Sequence, residues 1–143
     1  MRLNTTLWIV GAVGMICVMQ LTPTDATPWH AAQVRQYFKR IKLDKTKNQV
    51  YLHDVKRGIR TQLRVPLLQK ALLMCQETQL SSDCLNRMVD KARQHENKFY
   101  AKFTYACKGH PEYSAVCLET ARPQYYRNLR KLAKETIKCW TLK

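Results

Sequence analysis

The chain has 143 residues, 45% of them hydrophobic, with only 4 Gly and 5 Pro. That is one domain's worth of sequence, apolar enough to fold and too poor in turn residues for a collagen-like, low-complexity or many-turned all-β protein. Twenty-five Lys and Arg against ten Asp and Glu leave a net charge of +15, an excess that calls for an anionic counterpart: a phosphate backbone, an acidic lipid surface, or an acidic glycan or protein.

At the amino terminus Arg2 precedes Leu7 to Leu21, fifteen residues whose one polar member is Gln20, and then Thr24-Asp25-Ala26. A positive start, an apolar stretch and small residues before a cut are the order of a secretory signal peptide. The stretch is shorter than the ~18–20 residues that span a bilayer. Residues 1–26 are therefore expected to be a signal, and 27–143 a single basic domain. Export turns the expected partner of the positive charge away from nucleic acid. It also lets cysteines oxidise.

Thr27-Pro28 reads as an N-cap with Pro at the first helical position, and Ala31, Val34, Phe38 and Ile41 follow at helical spacing. Asp44 to Asn48 is a polar connection. A second helical stretch runs from about Gln49 to Thr78, with the stripe Leu52, Val55, Ile59, Leu63, Leu68, Leu72 and Cys75, and Pro66 is expected to kink or break it. Ser81 or Ser82 caps a third helix, whose stripe is Leu85, Met88, Val89, Ala92, Phe99, Phe103 and Ala106. A short turn of helix over Tyr113 to Leu118 is expected next. Pro123 then opens a last helix with Tyr126, Leu129, Ala133, Ile137 and Trp140 on one side. No strand of useful length appears. The expected fold is all-α, an up-and-down bundle of four to five helices with disulfides.

Cys17 leaves with the signal, so Cys75, Cys84, Cys107, Cys117 and Cys139 remain. Cys75, Cys84 and Cys139 fall at one end of such a bundle and Cys107 and Cys117 at the other. Since bonded α-carbons lie within ~7 Å, Cys107–Cys117 is expected, with Cys139 paired to Cys75 or Cys84; a Cys75–Cys84 bridge is the competitor. The odd cysteine leaves a thiol that could link a homodimer.

Sites for chemistry are scarce. His30, His53, His95 and His110 lie in no H-E-x-x-H, and no C-x-x-C, G-x-S-x-G or glycine-rich phosphate loop occurs. Surface histidines are the plain reading. No metal, cofactor or enzymatic activity is expected.

Positive charge is the informative pattern. In the last helix Arg127, Arg130, Lys131, Lys134 and Lys138 form a stripe beside Trp140, interrupted only by Glu135; in the second, Lys56, Arg57, Arg60 and Arg64 form another. Each could be a solvated face, but soluble faces usually mix signs. Basic amphipathic helices with an interfacial aromatic suit an anionic membrane surface. Tyr100, Tyr105, Tyr113, Tyr125 and Tyr126 either pack or sit at that interface, and packing is the plainer reading for most.

Arg57-Gly58-Ile59, Leu63-Arg64-Val65 and Gln69-Lys70-Ala71-Leu72, with Trp29-His30 near the mature terminus, resemble the abalone egg-lysin family of sperm acrosomal proteins over roughly Trp29 to Leu72. The resemblance implies a secreted, non-enzymatic bundle held in the sperm acrosomal vesicle. It would act at fertilization, through the basic stripes, on an anionic membrane surface or an egg vitelline-envelope glycoprotein rather than nucleic acid. Five cysteines depart from lysin's pattern and favour sperm–egg membrane fusion over dissolution of the envelope. A secreted cytokine-like ligand and an antimicrobial membrane-active protein are the alternatives.

Overall fold

Helical spacing along the chain is answered by helices throughout the computed structural model, which describes residues 29–74, 79–107 and 115–141. Among these residues there is no strand, and the fold is an all-α bundle. The expected signal (1–26), the Thr27-Pro28 cap, Cys75, His110 and Tyr113 lie outside the described residues.

Helix α1 (Trp29–Phe38) buries His30, Ala31, Val34 and Tyr37. His30 is thus a core residue stacked on Trp29, with ring centroids 4.3 Å apart, and not the surface histidine expected. Gln33 pins a distant stretch of chain to α1: its amide donates to the Leu80 carbonyl at 3.0 Å and accepts from the Leu80 N–H at 3.1 Å.

Helix α2 (Gln49–Gly58) starts where the Asn48 side chain accepts from the Tyr51 N–H at 3.1 Å, satisfying an amide that has no intrahelical partner. It passes without a break into a π-helical segment (Ile59–Arg64) and then α3 (Val65–Leu72), every junction residue keeping right-handed helical angles. Pro66 therefore ends nothing. It lacks an amide donor and crowds the carbonyl four residues back, and the wider π turns stand immediately before it. They also add a residue to the repeat. The buried positions run Val55, Gly58, Leu63, Leu67, Ala71 and Met74, with a step of five across the π segment. The expected continuation through Leu68 and Leu72 is displaced: Leu68 is half-buried and Leu72 exposed.

Ser81 caps α4 (Ser82–Ala106) by accepting from the Cys84 N–H at 3.3 Å. Leu85, Met88, Val89, Ala92, Phe99 and Phe103 are buried, and so is Glu96. Helix α5 (Ala115–Thr141) is one helix with Pro123 inside it, where a short turn and a separate helix were expected. Pro123 and Glu119, whose carbonyl loses its donor, are both exposed, so water can serve that carbonyl and the helix continues. Its buried side is Leu118, Ala121, Tyr125, Leu129, Leu132, Ala133 and Trp140; Tyr126 and Ile137 pack at the margin of the core.

Two contacts fix α4 and α5 as an antiparallel pair roughly 40 Å long. Cys84 is bonded to Cys139, with α-carbons 5.9 Å apart, joining the start of one helix to the end of the other. At the opposite end Cys107 shares a hydrogen bond with Cys117; these two are not bonded. The α2–π–α3 rod lies against α5, and α1 packs on α3 and α4.

Candidate functional site

Carboxylates are rationed in this chain, and two of them are used inside. Glu96, 6% exposed, accepts from the Tyr51 hydroxyl at 2.7 Å and from the Lys47 ammonium at 3.2 Å to each oxygen. Lys47 also stands 4.1 Å over the Tyr100 ring. Burial, and then the hydrogen bond to Glu96, push the Tyr51 phenol far above its ordinary range. Asp54, also buried, pairs with Arg122 at 3.3 Å. Around these groups Tyr51 packs on Phe99 and Phe103, each with centroids 5.0 Å away, and Phe99 stacks on Tyr125 at 4.4 Å and 10°. This seam is architecture.

Outside, the arrangement is opposite. Lys56, Arg57, Arg60 and Arg64 are all exposed, as are Arg127, Arg130, Lys131, Lys134 and Lys138. Among the described residues the ion pairs are Lys47–Glu96, Lys91–Glu135 and Arg122–Asp54; none includes a member of either stripe. The stripes ride on neighbouring elements, and the Arg130 guanidinium donates to the Gln62 side chain of the π segment at 3.0 Å. Trp140 does not join them. It is 3% exposed, with its indole N–H buried and unpartnered, so the interfacial role expected for it is corrected to a core role. Its spacing from Leu129 and Ala133 puts it on the buried side. Of the tyrosines, Tyr125 is buried, Tyr100 and Tyr126 are half-buried, and Tyr105 is 80% exposed.

Between the end of α1, the loop after it and the α2–π rod is a hollow of about 280 Å³. Phe38, Ile41, Leu43 and Ile59 form its floor, and Lys56, Arg60 and Arg64 its rim. The floor residues pack against the core yet stay partly open. Sequence spacing assigned Phe38 and Ile41 to a helix face; α1 stops at Phe38, so Ile41 and Leu43 belong to a loop folded over the rod. An apolar residue between charged neighbours, Leu43 between Lys42 and Asp44, was the available signal.

Among the described residues no group of three or more His, Cys, Asp or Glu could hold a metal ion. His53 is exposed. His95 is half-buried, its Nδ1 has no hydrogen-bond partner, and burial, followed by Lys98, lowers its pKa. Burial, and then the hydrogen bond with Cys117, push the Cys107 thiol up to about 11, so at neutral pH it is protonated and a poor nucleophile.

Comparison with known proteins places this geometry in context. Residues 24–140 match the family described as "Aegyptin, C-terminal domain". A gSG7 salivary protein of Anopheles stephensi is 44% identical over 128 residues, 90% of each chain. One from Anopheles darlingi is 40% identical over 139 residues, 97% of this chain and 98% of the other. Among solved structures, a mosquito complement inhibitor from Anopheles freeborni aligns with a TM-score of 0.74 and 41% identity, covering 82% of this chain and 98% of that one. An anophensin from Anopheles stephensi aligns at 0.61 and 42%, covering 80% and 97%.

These likenesses overturn the egg-lysin resemblance and what it implied: fertilization, sperm–egg membrane fusion, the acrosomal vesicle, and an anionic membrane or egg-envelope glycoprotein as partner. The cytokine-like and antimicrobial alternatives fall with them. The physical reason for the error is that the quoted motifs are short runs of Arg, Lys and aliphatics on a helix. Any basic bundle can offer such runs.

Proposed function

The chain belongs to the family of the aegyptin C-terminal domain, with the gSG7 mosquito salivary proteins, and on that footing we propose that it is a secreted salivary inhibitor of complement. It acts by binding a complement protein one to one and blocking its assembly or turnover, without catalysis of its own. The observation that carries this reading is the 41% identity and TM-score of 0.74 to a mosquito complement inhibitor, over nearly that protein's whole length. The apolar stretch Leu7 to Leu21 supports export. A net charge of +15, with two basic stripes on outer faces that have no ion pair among the described residues, supports electrostatically steered capture of an acidic surface, which raises association rates and fades with salt.

The test is lysis of sensitised erythrocytes in serum, with each route of complement activation run separately and the purified chain titrated in. Inhibition that saturates near equimolarity with one component supports the proposal. Unaltered lysis by every route at a large molar excess ends it, and substrate turnover by the chain would end the non-catalytic mechanism.

A further inference from the structure

We propose that the hollow rimmed by Lys56, Arg60 and Arg64 is the anchor point for the complement protein, taking a segment that offers a large apolar side chain flanked by carboxylates. This deepens the reading above and rests on it. Three observations converge. The floor of Phe38, Ile41, Leu43 and Ile59 is the edge of the core left partly open to solvent, an apolar surface waiting for cover. The rim is three cations, none with an ion pair to a carboxylate among the described residues. And two of those cations, with Ile59, belong to the π-helical segment. Such segments are rare and are frequent at functional sites. Here the segment turns Leu63 into the core while Arg60 and Arg64 stay at the rim.

Charge selects a protein segment over a free amphiphile. The hollow of about 280 Å³ is rimmed by three cations, none ion-paired among the described residues; a fatty acid brings one carboxylate, whereas a protein segment can bring several beside its apolar side chain. A large anchoring side chain and part of its neighbour fit it, and binding hot spots are desolvated pockets of this kind, in which Arg is enriched. No residue of the α5 stripe lines this hollow. It steers the partner; the hollow holds it.

The experiment compares wild type with three variants in the lysis assay and in direct binding to the component that wild type captures. Arg60→Glu with Arg64→Glu reverses the rim. Leu43→Trp fills the floor and leaves every cation in place. Lys131→Glu with Lys134→Glu makes the same charge change on α5. Circular dichroism and thermal melting check that each is folded; should the filled variant unfold, Lys56→Ala with Arg60→Ala, both at exposed positions, takes its place. The rim and floor variants should each lose about tenfold or more in affinity, mostly through faster dissociation. The α5 variant should lose less, and only in association rate. If wild type inhibits lysis while rim and floor variants match it, the hollow is not the anchor and the complement reading stands. If wild type inhibits nothing, the reading falls and takes the anchor with it. Saturable binding of a fatty-acid carboxylate, abolished by the rim and floor variants while inhibition is untouched, would assign the hollow to a free amphiphile and overturn the proposal.

Discussion

Glu96 sits inside the bundle with Lys47 and Tyr51 closed around it, whereas Lys56, Arg60 and Arg64, on the rod that also carries Tyr51, stand in solvent with no carboxylate paired to them among the described residues. The chain has ten carboxylates in all, and Glu96 and Asp54 are buried ones, each matched to a cation. A charge taken out of water is tolerable only when it is paired and hydrogen-bonded, so these two are committed to the fold. Cations at the surface cost little to leave unpaired and create a field that reaches outward. Neutralised charges hold the bundle together, and uncompensated ones address the partner.

The sharpest break in that contrast is Glu96→Ala. It strands the Lys47 ammonium and takes the shorter of two acceptors from the Tyr51 hydroxyl. Losing one member of a buried pair costs about 3–5 kcal/mol, and because Lys47 keeps 14% of its side chain exposed the expected loss is about 2–4 kcal/mol, read from urea unfolding. Removing both charges, as Lys47→Met with Glu96→Met, should restore most of it, since the Tyr51 hydroxyl retains the residue-96 carbonyl at 3.1 Å. A double variant no better than the single one would make the seam a matter of shape and not of charge.

Gly58→Ala comes next. Alanine is the better helix former by roughly 1 kcal/mol, yet a Cβ here would stand 2.8 Å from ring carbons of Tyr125 and Tyr126 and 3.2 Å from a Leu129 methyl. Two packed rings would have to shift, and overpacking of that kind costs about 1–3 kcal/mol. Destabilisation is expected in thermal melts. A gain would mean that α2 and α5 approach less closely than the structure has them.

These positions mark where the sequence was readable. The stripe from Leu85 to Phe103 transfers directly to the structure because α4 is unbroken α-helix and its period is constant. The second stripe is readable through Leu52, Val55 and Leu63, which are buried, and fails beyond them: the five-residue step from Gly58 to Leu63 shifts the later positions to Leu67 and Ala71, and nothing in Ile59 to Arg64 announces it. Pro123 reads as a helix start because a proline on the outer face looks, in sequence, like one that interrupts the core side. Trp140 was misplaced by its charged neighbours rather than by its own spacing. The basic stripes were legible as exposed cations, but the hollow needed a loop folded back over the rod. What the cations address is written in no motif at all, because complementarity to one protein surface leaves no characteristic spacing.

A smaller effect probes the border between the two regions. His95 lies half-buried on α4, facing Lys98, Lys91 and Lys131 as well as Glu135, and its folded-state pKa is lowered from 6.5. As pH falls through that value the unfolded chain takes up a proton that the folded chain resists, so stability should decline from about pH 6.5 downward and level off below the folded pKa. His95→Gln should flatten the decline in melts between pH 7 and 5. An unchanged slope would assign the acid sensitivity to other groups.

The outer cations should show the least effect on the fold and the clearest effect elsewhere. Lys134 and Lys138 are exposed, one turn apart on α5, and neither has an ion pair among the described residues. Lys134→Gln with Lys138→Gln removes two like charges at helical i, i+4 spacing, whose mutual repulsion slightly disfavours the helix. Lys138 also stands in the last turn of α5, where a cation favours the helix, so the two terms oppose and stability should change by less than about 0.5 kcal/mol. Association with the complement target should nonetheless slow, and its rate should depend less steeply on ionic strength, because steering scales with the field of the whole face and is screened within about 10 Å at 0.1 M salt. Dissociation should stay as it was. That split between an indifferent fold and an altered approach is what separates a steering charge from a structural one, and a loss of about 2 kcal/mol or more here would place these lysines with Glu96 instead.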